Sequence, residues 1–371
     1  MLTMSSPGIF RFCQQLSLGF SKYHPEVEID FLQMDRPTSL HQTELLEARP
    51  SNRLKLVPAS LVTHGLFFLK QILGRNSYDV VHLNYALSSY LSLLTRNNDS
   101  SFLYTVHGFP RPWLEQGSLE QMLYRMEDLM LRHKPSRVGC VSISDYVARV
   151  LREFYGLRTT VIYHGLDGSK FTPVDESKRR EMKKVLSIDN DSIVISWVGR
   201  LVPMKDPITF VKSLAYMRRV SPEIERRLYP LIVGDGPLSS AIRHLSESEK
   251  LPLRIIPKLT FNDLISLYQV SDLYVSSSVG EPFGLSLLEA IACGCCPIVT
   301  NAGAHLEIVP EDYNALFEVG DYIGLASQLG ALTLNASSRK SYATRARKKF
   351  LSSFTLKNMT ENYLSVYNSL A

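Results

Sequence analysis

Two glutamates, Glu281 and Glu289, bracket seven residues in "VGEPFGLSLLEAIACGCCPIVT", residues 279 to 300. A carboxylate accepts hydrogen bonds from more than one hydroxyl, so two of them at a fixed spacing suit a ligand that carries a diol at each end. Between them Phe283, Gly284 and Leu285 open a helix, and the unsatisfied N–H groups of a helix start favour an anion. Glu289 falls four residues after Leu285, one turn deeper on the same face, where it could take a diol such as a ribose. Glu281 sits on the loop at the other end, where a second hydroxylated ring would meet it. The plain alternative is two surface charges on a loop and a helix.

A second cluster lies in "GRLVPMKDP", residues 199 to 207. Gly199 permits a tight exit from the apolar run before it. Asp206 is a good N-cap and Pro207 fits the first helical position, so a helix starts directly after Lys205. Arg200 and Lys205 thus flank a strand-loop-helix turn beside the positive end of a helix dipole. Arg as a fork and Lys as a point charge suit a diphosphate. Taken alone, the pair reads equally well as solvated surface charge. Weaker candidates are Gly234 in "VGDGP", where glycine would let backbone approach a ligand, and His107 in "TVHG". A histidine after a strand is more often a satisfied core residue than a functional one.

These groups need a frame to position them. At 371 residues, two domains are the default expectation. Composition is that of an ordinary globular chain, 45% hydrophobic and 21% charged. A formal net charge of +5 is too weak to imply nucleic acid. No run approaches the roughly 18 apolar residues of a membrane span, and no signal-peptide pattern opens the chain. Of five cysteines, Cys293, Cys295 and Cys296 crowd together. With no second Cys/His pair at ligand spacing, they read as buried thiols of a reduced, cytoplasmic protein and no metal site is expected.

Short apolar runs alternate with helical patterns. Strands are expected at Glu28 to Leu32, Asp79 to Leu83, Phe102 to Val106, Val138 to Ser142 and Thr160 to Tyr163. A second series is expected at Ile193 to Val198, Tyr229 to Val233, Leu253 to Ile256, Leu273 to Ser276 and Pro297 to Thr300. Ser144 is placed to cap a helix over Tyr146 to Phe154, and Leu119 to Arg132 is amphipathic. Strand-helix alternation with continuously apolar strands predicts parallel sheets covered on both faces, in two successive Rossmann-like blocks. Ligands of such sheets bind beyond the carboxyl ends of the strands, which is where the clusters above lie. The apolar helical stretch 58–74 reads as a buried crossover or, alternatively, as a segment lying on a membrane surface.

The motif set resembles the retaining glycosyltransferases of family 4 (glycosyl transferase group 1), which have the two-domain GT-B fold. The matching pieces, in order, are "HLNYALSSYLSLL", "YTVHG", "YHGLDGSKF", "VGRLVPMKDP", "VGDGP", "LISLYQVSDLYVSSSVGEPFGLSLLEAIACG" and "FTLKNMTENYLSVY". The resemblance implies two Rossmann-like domains facing each other across a cleft: an acceptor-side domain over 1–168, a donor domain over 169–354, and a helix over 355–371 that crosses back to the first. It implies that Arg200 and Lys205 hold the donor diphosphate and Glu289 the ribose. Glu281 would hold the donor sugar, and backbone amides at Phe283 to Leu285 would cradle phosphate and sugar. His107 would project toward the sugar, with Gly8 and Gly234 as further substrate contacts. It implies neither metal nor cofactor, because the cations and the helix dipole take over that electrostatic role. The partners implied are a nucleotide-sugar donor and a carbohydrate or lipid-linked acceptor, with peripheral contact at the inner membrane face and no nucleic acid.

Two departures stand out. "MLTMSS" before Pro7 is too short and polar for the central strand that usually precedes the Gly-containing loop, so either the first sheet lacks a strand or the native start lies upstream. His164 stands where the family more often has Asn. Two competing readings are a nucleotide-sugar 2-epimerase on the same fold and a non-catalytic nucleotide-sugar-binding protein. A dehydrogenase is disfavoured because no Gly-x-Gly-x-x-Gly fingerprint follows a strand.

Overall fold

A computed structural model describes residues 7–31, 52–57, 79–84, 101–108, 125, 128–129, 131–133 and 138–370. The stretch 58–74, most of 119–132 and residues 1–6 lie outside the described residues. The chain divides into two compact units, one comprising Met1–Gly165 with Leu356–Ala371 and the other Leu166–Thr355. Among the described residues, no helix is long and apolar enough to cross a membrane.

The first unit carries a six-stranded sheet whose order follows the chain: β1 (Val27–Phe31), β2 (Asn52–Val57), β3 (Val80–Leu83), β4 (Ser101–Val106), β5 (Val138–Ser142) and β6 (Thr160–Val161). Every pairing is parallel. β3 is buried along its whole length and β4 from its second residue on, as expected of strands covered on both faces. β2 was not among the expected strands. Its sequence NRLKLV alternates charged and apolar residues, so a search for continuous apolar runs passes over it. The Ser144 cap is present, accepting a 3.1 Å hydrogen bond from the Val147 amide at the head of the Asp145–Tyr155 helix. The Pro7–Tyr23 and Leu356–Leu370 helices pack together, burying Phe12, Cys13, Leu16 and Phe20 with Leu356, Met359, Tyr363 and Tyr367.

The second unit holds β7 (Ile193–Val198), β8 (Leu228–Val233), β9 (Arg254–Ile256), β10 (Leu273–Ser276), β11 (Cys296–Thr300) and β12 (Leu316–Phe317). Its order is β12-β11-β10-β7-β8-β9, parallel throughout. Strand order therefore reverses between β7 and β10. In an open parallel sheet that reversal opens a crevice at the carboxyl ends of the two strands, the ordinary place for a ligand. The loops leaving β7 and β10 carry the two charged clusters. Cys293, Cys295 and Cys296 are buried free thiols around the start of β11, and burial pushes Cys293 and Cys296 up to about 12.

Candidate functional site

At the switch point two loops are tied together by backbone and side chain. β7 ends at Val198 and the chain turns through Gly199, Arg200 and a single turn of 3-10 helix, Pro203–Lys205. Asp206 then caps the Pro207–Val220 helix, accepting from the Thr209 amide at 3.2 Å, with Pro207 in the first turn. The β10 loop is fastened to this one. Val279 N donates to Met204 O at 2.9 Å. Trp197 Nε1 donates to Ser277 Oγ at 2.9 Å, and Ser277 Oγ donates to Asp206 O at 2.6 Å.

That stitching brings Lys205 and Glu281 into direct contact. Lys205 Nζ donates to Glu281 Oε2, and Ser278 Oγ donates to the same oxygen at 2.9 Å. Burial opposes charge on Glu281, yet the Lys205 ammonium, His305 and the two hydrogen bonds outweigh it and hold the carboxyl below its ordinary range. Arg200 is exposed and makes no ion pair among the described residues. The two cations expected to act alike thus differ: one is locked to a carboxylate and one is open to solvent.

Neither glutamate is a surface charge. Glu281 is 7% exposed and Glu289 is fully buried. Glu289 sits in the Leu285–Ala292 helix and accepts from Tyr268 Oη at 3.1 Å. Gly284 precedes this helix at φ 108°, a conformation that glycine adopts without a Cβ penalty, and no side chain caps the helix start. The first N–H groups therefore have no intrahelical acceptor. The Phe283 ring is buried edge-on against Phe354.

At Gly234 the sequence suggested close backbone approach, and the structure shows one. A Cβ there would lie 1.8 Å from Gly199 O, so the close approach it permits is to the neighbouring loop. Gly199 N donates to Val233 O and Leu201 N to Asp235 O, both at 3.0 Å, zipping the exits of β7 and β8 together. Gly8 is displaced from its expected loop: it is the second residue of the Pro7–Tyr23 helix.

In the first unit His107 follows β4 and sits in an aromatic nest. Its ring stacks on His164, 5.5 Å apart and 10° from parallel, and meets Phe12 edge-on at 4.8 Å. Its Nε2 lies 2.9 Å from Asn84 Oδ1. Burial, and then its neighbours His164 and His82, keep His107 well below the usual imidazole range, so it is neutral at pH 7. The departure at His164 is therefore a packing partner of His107. Sequence reasoning gave no role to Asn84, Tyr268, Ser278, Thr300 or His305, although the first three lie within the matching motif pieces.

Among the described residues, no group of three or more His, Cys, Asp or Glu could hold a metal ion.

Comparison with known proteins extends this geometry. The family model "Glycosyl transferases group 1" matches residues 178–349, and "Glycosyltransferase Family 4" matches residues 8–170. The chain is 26% identical over 318 residues to UDP-Gal:alpha-D-GlcNAc-diphosphoundecaprenol alpha-1,3-galactosyltransferase of Escherichia coli, covering 82% of this chain and 78% of that protein. It is 24% identical over 332 residues to D-inositol 3-phosphate glycosyltransferase of Salinispora tropica, covering 82% and 67%. Among solved structures, sucrose-phosphate synthase of Thermosynechococcus elongatus superposes with a TM-score of 0.76 at 19% identity, over 97% of this chain and 92% of that one. HepE of Anabaena, solved with UDP and glucose, gives 0.69 at 18% identity, over 85% and 92%. The shared fold is GT-B.

Proposed function

Because the chain belongs to the group 1 (family 4) glycosyltransferases and transfers a sugar from a nucleotide sugar, we propose that its donor is a UDP-sugar and that transfer retains the anomeric configuration. Support for UDP comes from the relative named for UDP-Gal and from the HepE structures with UDP, UDP and glucose, or UDP-glucose. The observation that carries the site assignment is the convergence at the β7/β10 reversal of two cations, a buried charged carboxylate and an uncapped helix start.

Each group then has a task that its surroundings suit. Departure of the nucleoside diphosphate leaves charge on the phosphate oxygens, and Arg200 with the helix N–H groups is placed to stabilise it. Lys205 adds positive charge while holding Glu281. Oε2 of Glu281 is occupied by Lys205 and Ser278, so Oε1 is the oxygen left to accept from a donor-sugar hydroxyl. Glu289, fully buried and accepting from Tyr268 Oη, is assigned the ribose diol on its position in the matching motif rather than on exposure. His107, neutral and held through Nε2 by Asn84, is proposed as a hydrogen-bonding group for the substrate. No side chain is assigned as a nucleophile: the acceptor hydroxyl attacks from the face the diphosphate leaves, and the leaving phosphate takes its proton. With cations already built into the site, turnover needs no added metal and persists in EDTA. The acceptor is a lipid-linked or free carbohydrate, and a lipid-linked one would bring the protein to the cytoplasmic membrane face.

A panel of UDP-, GDP- and ADP-sugars tests this reading by thermal shift and by release of nucleoside diphosphate. The matching donor at a hundredfold excess over its dissociation constant stabilises by about 2.7 kcal/mol. Proton NMR of the product reports the anomeric configuration. Absence of stabilisation by every donor would sink the reading, and an inverted product would sink retention.

A further inference from the structure

Under Glu281 lies a chain of buried polar groups that none of the tasks above uses. β11 ends in Thr300, and the turn after it, Asn301 to Ala304, leads to His305 at the head of a short helix. His305 and Thr300 have no exposed surface. Thr300 Oγ1 donates its single proton to Ser278 O at 2.7 Å. It also lies 3.0 Å from His305 Nδ1, and with its proton already spent it can only accept there. Nδ1 of His305 therefore carries the imidazole proton. Nε2 is then the acceptor, and Ser276 Oγ, 2.9 Å away, donates to it. The side-chain protons of the row are thereby assigned, with the Thr300 backbone a further partner of the His305 ring. It runs from Ser276 through His305 and Thr300 to the Ser278 carbonyl, and the Ser278 hydroxyl continues it to Glu281 Oε2 at 2.9 Å.

The backbone follows the same route. Ala304 N donates to Glu281 O at 2.9 Å. Gly303, at φ 64°, lies so close that a Cβ there would meet both Glu281 N and Glu281 O at 2.6 Å. The β11 turn is thus pressed against the residue whose carboxylate has one oxygen pinned and one left for a ligand.

We propose that His305 and Thr300 are positioning residues for Glu281, fixing through Ser278 which carboxylate oxygen is presented to the donor sugar. The inference rests on Glu281 holding that sugar. A row with each proton assigned has one orientation, so the Ser278 carbonyl and hydroxyl cannot rotate without leaving a buried group unsatisfied. Nucleoside diphosphate alone does not touch this row, because the phosphate groups act at Arg200, Lys205 and the helix start.

The experiment compares Thr300→Val, Thr300→Ser and Glu281→Gln using UDP and the UDP-sugar that the donor panel selects. Thr300→Val keeps shape and removes the proton that orders the row. Its expected effect is a fall of about tenfold in turnover, with UDP affinity unchanged and turnover restored by Thr300→Ser. Normal turnover in Thr300→Val overturns the inference, as does equal loss of UDP affinity and turnover, which would mark a merely structural threonine. Glu281→Gln separates the two levels: if it turns over like the wild type, Glu281 does not hold the sugar and both statements fall. A measurement on the unmodified protein needs no variant to fold well. Nitrogen-15 spectra of labelled histidine, with the His305 resonances assigned by their absence in His305→Gln, are expected to show a neutral Nδ1–H ring at pH 7. An Nε2–H ring overturns the inference.

Discussion

Lys205 and Arg200 carry the same charge at the same loop, and the structure makes them unequal. Lys205 is bound to a carboxylate that is 7% exposed, so removing it leaves a buried charge without its partner. We expect Lys205→Met to destabilise the second unit by about 3 kcal/mol, the low end for breaking a buried pair, as read by urea unfolding. Adding Glu281→Gln to that variant is expected to recover part of the loss. The sign with pH follows from Glu281's depressed ionisation. The pair's contribution is present above the ordinary carboxylate range and is lost as pH falls through the lowered value. Arg200→Ala, by contrast, is expected to leave the urea midpoint unchanged and to weaken UDP binding about ten- to a hundredfold, the worth of a hydrogen bond to a charged group. Equal effects of the two variants on stability would contradict this division.

At the scale of elements, the Leu356–Leu370 helix is part of the first unit's core although the sequence separates it from that unit by the whole second sheet. Its polar groups reach into the sheet as well. Tyr367 Oη lies 2.8 Å from His82 Nδ1, and Tyr363 Oη lies 3.0 Å from Thr105 Oγ1. His82 Nε2 is 2.7 Å from Thr105 Oγ1, closing a fully buried network. Tyr367→Phe strands one nitrogen of a buried imidazole and is expected to cost about 1–3 kcal/mol. Deleting residues 355–371 is expected to remove far more, because it uncovers Phe12, Leu16 and Phe20. Hydrogen exchange on the truncated chain should show protection falling in β3, β4 and β5 and persisting in β7, β8 and β10. A loss concentrated in the second set would contradict it.

For the molecule as a whole, acid should act on the two units unequally. His82 and His164 in the first are pushed down to about 3 by burial, and His107 is lowered too. The second has one comparable group, His305, pushed down to about 4, again chiefly by burial. Each ring is neutral when folded and takes up a proton near pH 6.5 when unfolded. Its contribution is therefore complete above about pH 6.5 and is lost as pH falls toward the folded value. At pH 5 each of His82 and His164 has given up about 2 kcal/mol. Exchange rates measured from pH 7.5 down to 5 should rise first in the first unit. A uniform rise, or one led by the second unit, would speak against these buried neutral rings.

Much of this was legible in the sequence. Largely apolar runs such as Ile193–Val198 and Leu273–Ser276 became strands with the expected bounds because a strand buried on both faces carries few polar residues and no alternating exposed side. Ser144, Asp206 and Pro207 marked helix starts because capping is a contact over two or three residues, which a linear reading can see. What the tertiary structure decided are contacts between loops that the chain holds far apart. Lys205 meets Glu281 because strand order reverses between β7 and β10, and local periodicity carries no record of strand order. Gly234 is required by the carbonyl of Gly199, which a Cβ there would meet at 1.8 Å, a neighbour the sequence does not name. Glu289 read as a carboxylate for a diol, but that it is fully buried beside Tyr268 was not legible, since the face a helix hides is set by what packs on it. His305 drew no notice in the sequence, because a lone histidine is placed only by its two partners, Ser276 at 29 residues' distance and Thr300 at the end of the preceding strand.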